Sequence, residues 1–158
     1  MSNRKPITAQ GKKEVEELLN RLIQEERPKV IQAIKVARAH GDLSENADYD
    51  AAKEQQGFLE SRISDLTEKL ANAQVVDVAN IKSDTITFGA VVNLKNLEDD
   101  KEVTYTIVGE AEADAKKGRI SIVSPLAKKM IGLKKGDNFI FQTPGGEKEY
   151  EVLKFSFK

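Results

Sequence analysis

The stretch Ala52-Lys53-Glu54-Gln55-Gln56-Gly57-Phe58-Leu59-Glu60-Ser61-Arg62-Ile63-Ser64-Asp65-Leu66-Thr67-Glu68-Lys69-Leu70-Ala71-Asn72-Ala73 carries the cleanest period in the chain. Within it Ala52, Leu59, Ile63, Leu66, Leu70 and Ala73 follow one another at intervals of 7, 4, 3, 4 and 3 residues. That spacing is an a/d heptad seam: it aligns small and apolar side chains along one edge of a helix and calls for a partner helix. Gln56 takes the seam position between Ala52 and Leu59.

The partner precedes it. A helix starting at Thr8 or Gln10 runs through Lys12, Lys13, Glu14 and Glu16, all good helix formers. Leu19, Ile23, Val30, Ile34 and Ala37 recur at 4, 7, 4 and 3, with Arg27 at the skipped seam position. Pro28 removes a backbone donor and is expected to bend the helix or end its first piece. Glu25-Glu26 beside Arg27-Pro28-Lys29 fits a solvated bend. Gly41 closes the arm, because glycine accepts the left-handed conformation at a helix end. Ser44 is the expected N-cap of the second helix, with Glu45 in its first turn. Two arms joined by about four residues fold back as an antiparallel hairpin. With roughly 25–30 residues per arm, its length is ~40 Å at 1.5 Å rise per residue.

Beyond residue 78 the composition changes to β-branched residues, glycines and turn signals. Strands are predicted over 85–94, 101–108, 119–123, 138–142 and 150–157. Gly89 marks a bulge or a close approach within the first. In the second, Val103, Tyr105 and Ile107 share a face. Ser124 and Pro125 open a short helix, Leu126 to Ile131, as N-cap and first helical residue, and Gly132 closes it. Lys135-Gly136-Asp137 reads as a turn, and Pro144-Gly145-Gly146 as the turn of a hairpin. The fold class is therefore α+β: an antiparallel coiled-coil hairpin over 1–78 and a small α+β domain over 79–158.

Composition bounds the function. Charged residues are 32% of the 158, net charge is −1, and there is no cysteine and no tryptophan. Disulfides and cysteine zinc sites are excluded, and a reducing compartment fits. Residues 1–78 hold 12 basic and 14 acidic side chains, and 79–158 hold 13 and 12. Neither part has the basic excess of a protein that binds free nucleic acid by neutralising phosphates. No apolar run approaches the ~20 residues of a membrane span, and the first residues lack the apolar core of a signal peptide.

The chemistry concentrates at the hairpin end, Gly41-Asp42-Leu43-Ser44-Glu45-Asn46-Ala47-Asp48-Tyr49-Asp50. Asp42 and Glu45, three apart across the turn, are a weak, open pair of hard oxygen donors. They suit a Mg²⁺ ion whose other ligands come from a partner. The alternative is structural: acids near a helix start stabilise it by ~0.3–1 kcal/mol through the macrodipole. Leu43 on a bare tip gains nothing from burial in its own domain. His40, the only histidine, reads as a surface residue or a helix C-terminal cation. Asp48 and Asp50 read as a solvated face. Arg38 and Lys53, on opposite arms below the tip, either flank a phosphate or are ordinary cross-arm charges.

Arg38-Ala39-His40-Gly41-Asp42-Leu43-Ser44-Glu45-Asn46-Ala47-Asp48-Tyr49, followed by Ala51-Ala52-Lys53-Glu54-Gln55-Gln56-Gly57-Phe58, closely resembles the signature of the bacterial Gre family of transcript cleavage factors. Phe88-Gly89-Ala90, Tyr105-Thr106-Ile107-Val108-Gly109, Ser124-Pro125-Leu126-Ala127 and Thr143-Pro144-Gly145-Gly146 fit it too, so the resemblance spans nearly the whole chain. The resemblance implies an FKBP-like second domain that docks at the rim of the RNA polymerase secondary channel, with the coiled coil entering the channel. Asp42 and Glu45 would help hold the second Mg²⁺ of the polymerase's own active site, the ion shared with the polymerase and not bound by the chain alone. Arg38 and Lys53 would face the extruded 3′ end of the nascent RNA. Ser44, Asn46 and Tyr49 would support the tip, and Ser124, Pro125, Leu126 and Met130 are candidate docking residues, the alternative being that Leu126 to Ile131 is a core helix of the second domain. DNA would be met only through the elongation complex, and the factor would be a cytoplasmic monomer and not itself an enzyme. Family members often carry His where this chain has Asp50, and inhibitory relatives carry extra acids at the tip. Competing expectations are a channel-blocking inhibitor, a peptidyl-prolyl isomerase suggested by the FKBP-like fold, and a coiled-coil scaffold indifferent to the tip acids.

Overall fold

A computed structural model describes residues 4–41 and 46–157. The chain forms two compact units, residues 13–72 and residues 1–12 with 73–158. This grouping differs from a single break at residue 78. The reason is a parallel pairing of two short strands, β1 (Lys5–Thr8) and β2 (Ala73–Val76), in register Lys5↔Ala73 to Thr8↔Val76. The N-terminal residues thereby belong to the second unit.

The unit 13–72 is a helical hairpin. Helix α1 (Ala9–Arg21) leads into a π-helical turn, Leu22–Glu26, then α2 (Arg27–Arg38), and the return arm is α3 (Ala47–Ala71). The Arg27 N–H donates to the Leu22 carbonyl five residues back. A π turn uses an extra residue, so it shifts the buried face of one arm. Leu22 is buried, one heptad after buried Val15, whereas Leu19, Ile23, Val30 and Ile34, the seam positions predicted from spacing, are half-buried. Pro28 follows as the second residue of α2, directly after the π turn, and Glu26 and Arg27 keep helical φ and ψ, so the arm continues through the proline. The hairpin core is slender: Val15, Leu22, Ala37, Ala52, Ile63 and Leu66. Arg27 does more than sit in a solvated bend. Its Nε and Nη2 donate to Glu60 Oε1 and Oε2 at 2.7 and 2.8 Å, a two-pronged clamp between the arms.

The second unit is built on a five-stranded sheet in the order β5-β4-β3-β7-β6. Its strands are β3 (Ala90–Asn96), β4 (Glu102–Val108), β5 (Arg119–Ser121), β6 (Asn138–Thr143) and β7 (Gly146–Phe157). Only the β4–β5 pair is parallel. Ile86, Val92, Leu94, Ile107, Phe139 and Val152 form the core with Ala127 and Met130 of the short helix α4 (Pro125–Met130). The Ser124 Oγ accepts the Ala127 N–H at 3.2 Å, so Ser124 is the N-cap its sequence context predicts. Val103, Tyr105 and Ile107 pack on this core together, and burial pushes the Tyr105 phenol up from its usual pKa.

Two boundaries differ from the sequence-based expectation. β3 begins at Ala90 and not near Thr85, because Gly89 turns the chain at φ +87° and Ile86 bonds instead to Leu133 and Gly132. Gly89 is a close approach: a Cβ there would lie 2.8 Å from both Val78 methyl groups. β7 begins at Gly146, so β6 and β7 close through Pro144-Gly145 alone.

Candidate functional site at the hairpin end

The end of the hairpin is tied by one side chain. Asn46 is the N-cap of α3, and its Oδ1 accepts the Tyr49 N–H at 3.0 Å. Its Nδ2 donates to the Ala37 carbonyl of α2 at 2.7 Å. An amide carries an acceptor and a donor at opposite ends, so it can cap one helix and bind the other. A serine hydroxyl is too short for both. That corrects the expectation of Ser44 as N-cap: α3 starts at Ala47, and the acids in its first turn are Asp48 and Asp50, not Glu45. Across the gap, α2 ends with the Gly41 N–H on the Arg38 carbonyl at 3.3 Å and Gly41 at φ +108°.

Asp42, Leu43, Ser44 and Glu45 lie outside the described residues, so the expected metal-holding pair and Ser44 carry no geometry here. The residues framing them are described. Arg38, His40, Asp48 and Asp50 are exposed and Tyr49 is half-buried. Lys53 is exposed and its Nζ donates to Gln56 Oε1 at 3.1 Å, one turn down its own helix. Among the described residues no three acidic, histidine or cysteine side chains gather as a metal cluster.

Two hollows lie on the hairpin. One, about 480 Å³, is lined by His40, Asp48, Ala37 and Ala52 among others, and Gln55, which also borders it, lines the second, about 370 Å³, with Phe58 and Leu59. Phe58 is 68% exposed, unusual for a phenyl group. Its position just before seam residue Leu59 is the sequence signal that it stands off the seam.

The candidate docking residues divide. Pro125 is exposed and Leu126 half-buried, but Met130 is fully buried in the core of the second unit. Met130 therefore holds α4 to the sheet and presents nothing to a partner. The exposed side chains of α4 besides Pro125 are Lys128 and Lys129.

Residues 5–75 match the family model described as transcription elongation factor, N-terminal, and residues 81–157 match that of transcription elongation factor, GreA/GreB, C-term. The chain belongs to the GreA/GreB family of transcription elongation factors. It is 52% identical to the transcription elongation factor GreA of Trichlorobacter lovleyi over 158 residues, covering 100% of both chains. Its identity to the GreA of Pelobacter propionicus is 51%, again over 100% of both. A solved GreA/GreB structure from Nitrosomonas europaea has a TM-score of 0.44 at 21% identity, covering 98% of this chain and 100% of that one. No described helix is long and apolar enough to cross a membrane.

Proposed function

We propose that this GreA/GreB-family chain binds RNA polymerase, inserts its helical hairpin into the secondary channel, and stimulates the polymerase's own endonucleolytic cleavage of backtracked nascent RNA. The observation that carries the reading is a helical hairpin whose two arms are tied by Asn46, the residue that follows the stretch holding Asp42 and Glu45 in the sequence. In this reading Asp42 and Glu45 act as the metal-holding pair. Two carboxylates in water are too few to keep Mg²⁺, but they suffice to complete a site whose remaining ligands belong to a partner. When bound there, the ion would activate water for in-line attack on a phosphodiester, as in two-metal sites. The chain's part is to bring the carboxylates and to place Arg38 and Lys53, both exposed, near the extruded RNA end. The nuclease remains the polymerase, and the setting is the cytoplasm.

The test is transcript cleavage in stalled elongation complexes of the cognate polymerase with Mg²⁺. The chain is expected to shorten the RNA from its 3′ end. The double variant Asp42→Asn, Glu45→Gln is expected to bind the polymerase and leave the RNA intact. Cleavage by that variant equal to the parent would sink the metal role. Slowed cleavage with binding intact in the parent itself would point to channel blocking and make Asp50, exposed in the first turn of α3, the next residue to change.

A further inference from the structure

Helix α3 carries two stripes, and its own hairpin uses one. Ala52, Ile63 and Leu66 of the seam are buried against the first arm. Beside the seam stand Asp48, Gln55 and Arg62, each seven residues from the next, with Ala51 and Phe58 between them. A heptad spacing keeps such residues on one face of a helix. All five are exposed, and they border the two hollows that meet at Gln55.

This second stripe is complementary to its own reverse. From Gln55 toward the base of the hairpin come a bulky ring and then a cation, Phe58 and Arg62. From Gln55 toward the tip come small side chains and then an anion, Ala52, Ala51 and Asp48. The spacings match: Phe58 and Ala52 lie three residues to either side of Gln55, and Arg62 and Asp48 seven. The first arm extends both ends. Arg21 borders the hollow of Phe58 and Arg62, and Ala33 and Ala37 widen the alanine-lined hollow, about 480 Å³, at the other end. Glu26 at the basic end and Lys29 at the acidic end engage one another at 3.6 Å. Arg21, Arg62 and Asp48 form no ion pair among the described residues.

We infer that this stripe pairs two copies of the chain, hairpin against hairpin and antiparallel, about a two-fold axis at Gln55. In such a contact residue i of one copy meets residue j of the other, and j meets i. Antiparallel helices crossing at Gln55 set Arg62 level with the second copy's Asp48, and Phe58 level with its Ala52. The exposed ring fills the alanine-lined hollow, and the two Gln55 amides, each both donor and acceptor, bond to one another. A parallel pairing would set like charges together, which selects against it. The contact spans residues 48–62, ~21 Å of helix, so it is small and the pair is transient. Each hairpin keeps its own seam, so the dilute chain is a monomer and pairing grows with concentration. A paired arm is thicker than a free one, so pairing withholds the chain from a narrow channel. The pairing itself does not depend on the polymerase reading.

The test follows the full chain by sedimentation velocity up to millimolar concentration. A reversible rise toward the dimer value is expected, and Phe58→Ala is expected to weaken it about tenfold. Asp48→Arg and Arg62→Asp each place like charges in the contact, and each is expected to stay monomeric. Mixed in equal amounts, the two variants have opposite charges at every position and are expected to pair. The chain has no cysteine, so Gln55→Cys sets a lone thiol on the axis. It is expected to cross-link two copies in aerated buffer, whereas Ser61→Cys, ~18 Å along the helix from its counterpart, is not. If Asp48→Arg loses helical circular dichroism, the two cysteine variants decide alone. A parent chain monomeric at millimolar concentration, folded charge variants that fail to pair when mixed, or equal cross-linking from positions 55 and 61 would overturn the inference.

Discussion

Glu112 is 7% exposed, and its carboxylate has three donors. Oε1 accepts the Thr8 and Gly109 N–H groups at 2.9 Å each, and Oε2 accepts the Thr8 hydroxyl. That hydroxyl accepts in turn from the Gly11 N–H at 2.9 Å. A Cβ on Gly11 would overlap Glu112 Oε2, which explains a glycine inside a helix. Replacing Glu112 by Gln turns one acceptor into a donor facing the Thr8 hydroxyl. The variant is expected to lose about 1–3 kcal/mol, the cost of a buried polar group left unpaired, read as a lower urea midpoint. None of this was legible in the sequence, because 104 residues separate Thr8 from Glu112 and no local pattern joins them. Glu60 answers differently. The hydrogen bonds from Arg27 hold its carboxyl below the usual glutamate pKa, and the Arg27 guanidinium is raised in return. A depressed folded pKa means that the clamp acts above about pH 4.3, the ordinary glutamate value, and is lost as pH falls through the lower folded value. Carbon-detected titration should find Glu60 titrating below a free glutamate and returning toward it in Arg27→Met.

Among the elements, α3 was the most legible, since a heptad seam needs only its own residues to declare itself. Gly57 interrupts it, and a Cβ there would meet nothing within 4 Å. Gly57→Ala is therefore expected to stabilise the hairpin by about 0.5–1 kcal/mol, seen as a higher thermal midpoint for helical circular dichroism. The start of α3 was less legible. Serine and asparagine both cap helices, and only the cross-arm bond to the Ala37 carbonyl selects Asn46. Asn46→Ala removes cap and tie together, and is expected to cost about 1–2 kcal/mol and to speed amide exchange at Tyr49. The π turn escaped detection because the 4-and-7 spacing of Leu19, Ile23 and Val30 suits an unbroken helix equally well. β1 and β2 escaped because four residues apiece, one of them Pro6, show no alternation, and their partners are 68 residues distant in register.

At the scale of the molecule, the tip and the sheet belong to different units, so their substitutions should separate. The tip double variant is expected to leave polymerase affinity within about twofold of the parent, because small surface changes away from an interface are worth under ~0.5 kcal/mol. Competition binding against the parent chain measures this, and a parallel loss of affinity and cleavage would make the tip a docking element instead. The two-unit, α+β plan was readable from the change in composition near residue 78. The attachment of residues 1–12 to the second compact unit was not, because it depends on a strand that the chain leaves behind before the hairpin begins. That grouping sets an order of events during synthesis. Strand β1 emerges from the ribosome ahead of the hairpin, yet its backbone partners arrive only with Ala73–Val76 and its side-chain anchor only with Glu112. The hairpin, whose contacts are closer in sequence, closes in the interval. Residues 5–8 are thus locked after the hairpin that follows them, and a newborn chain stopped before residue 73 carries the hairpin on an unfastened strand.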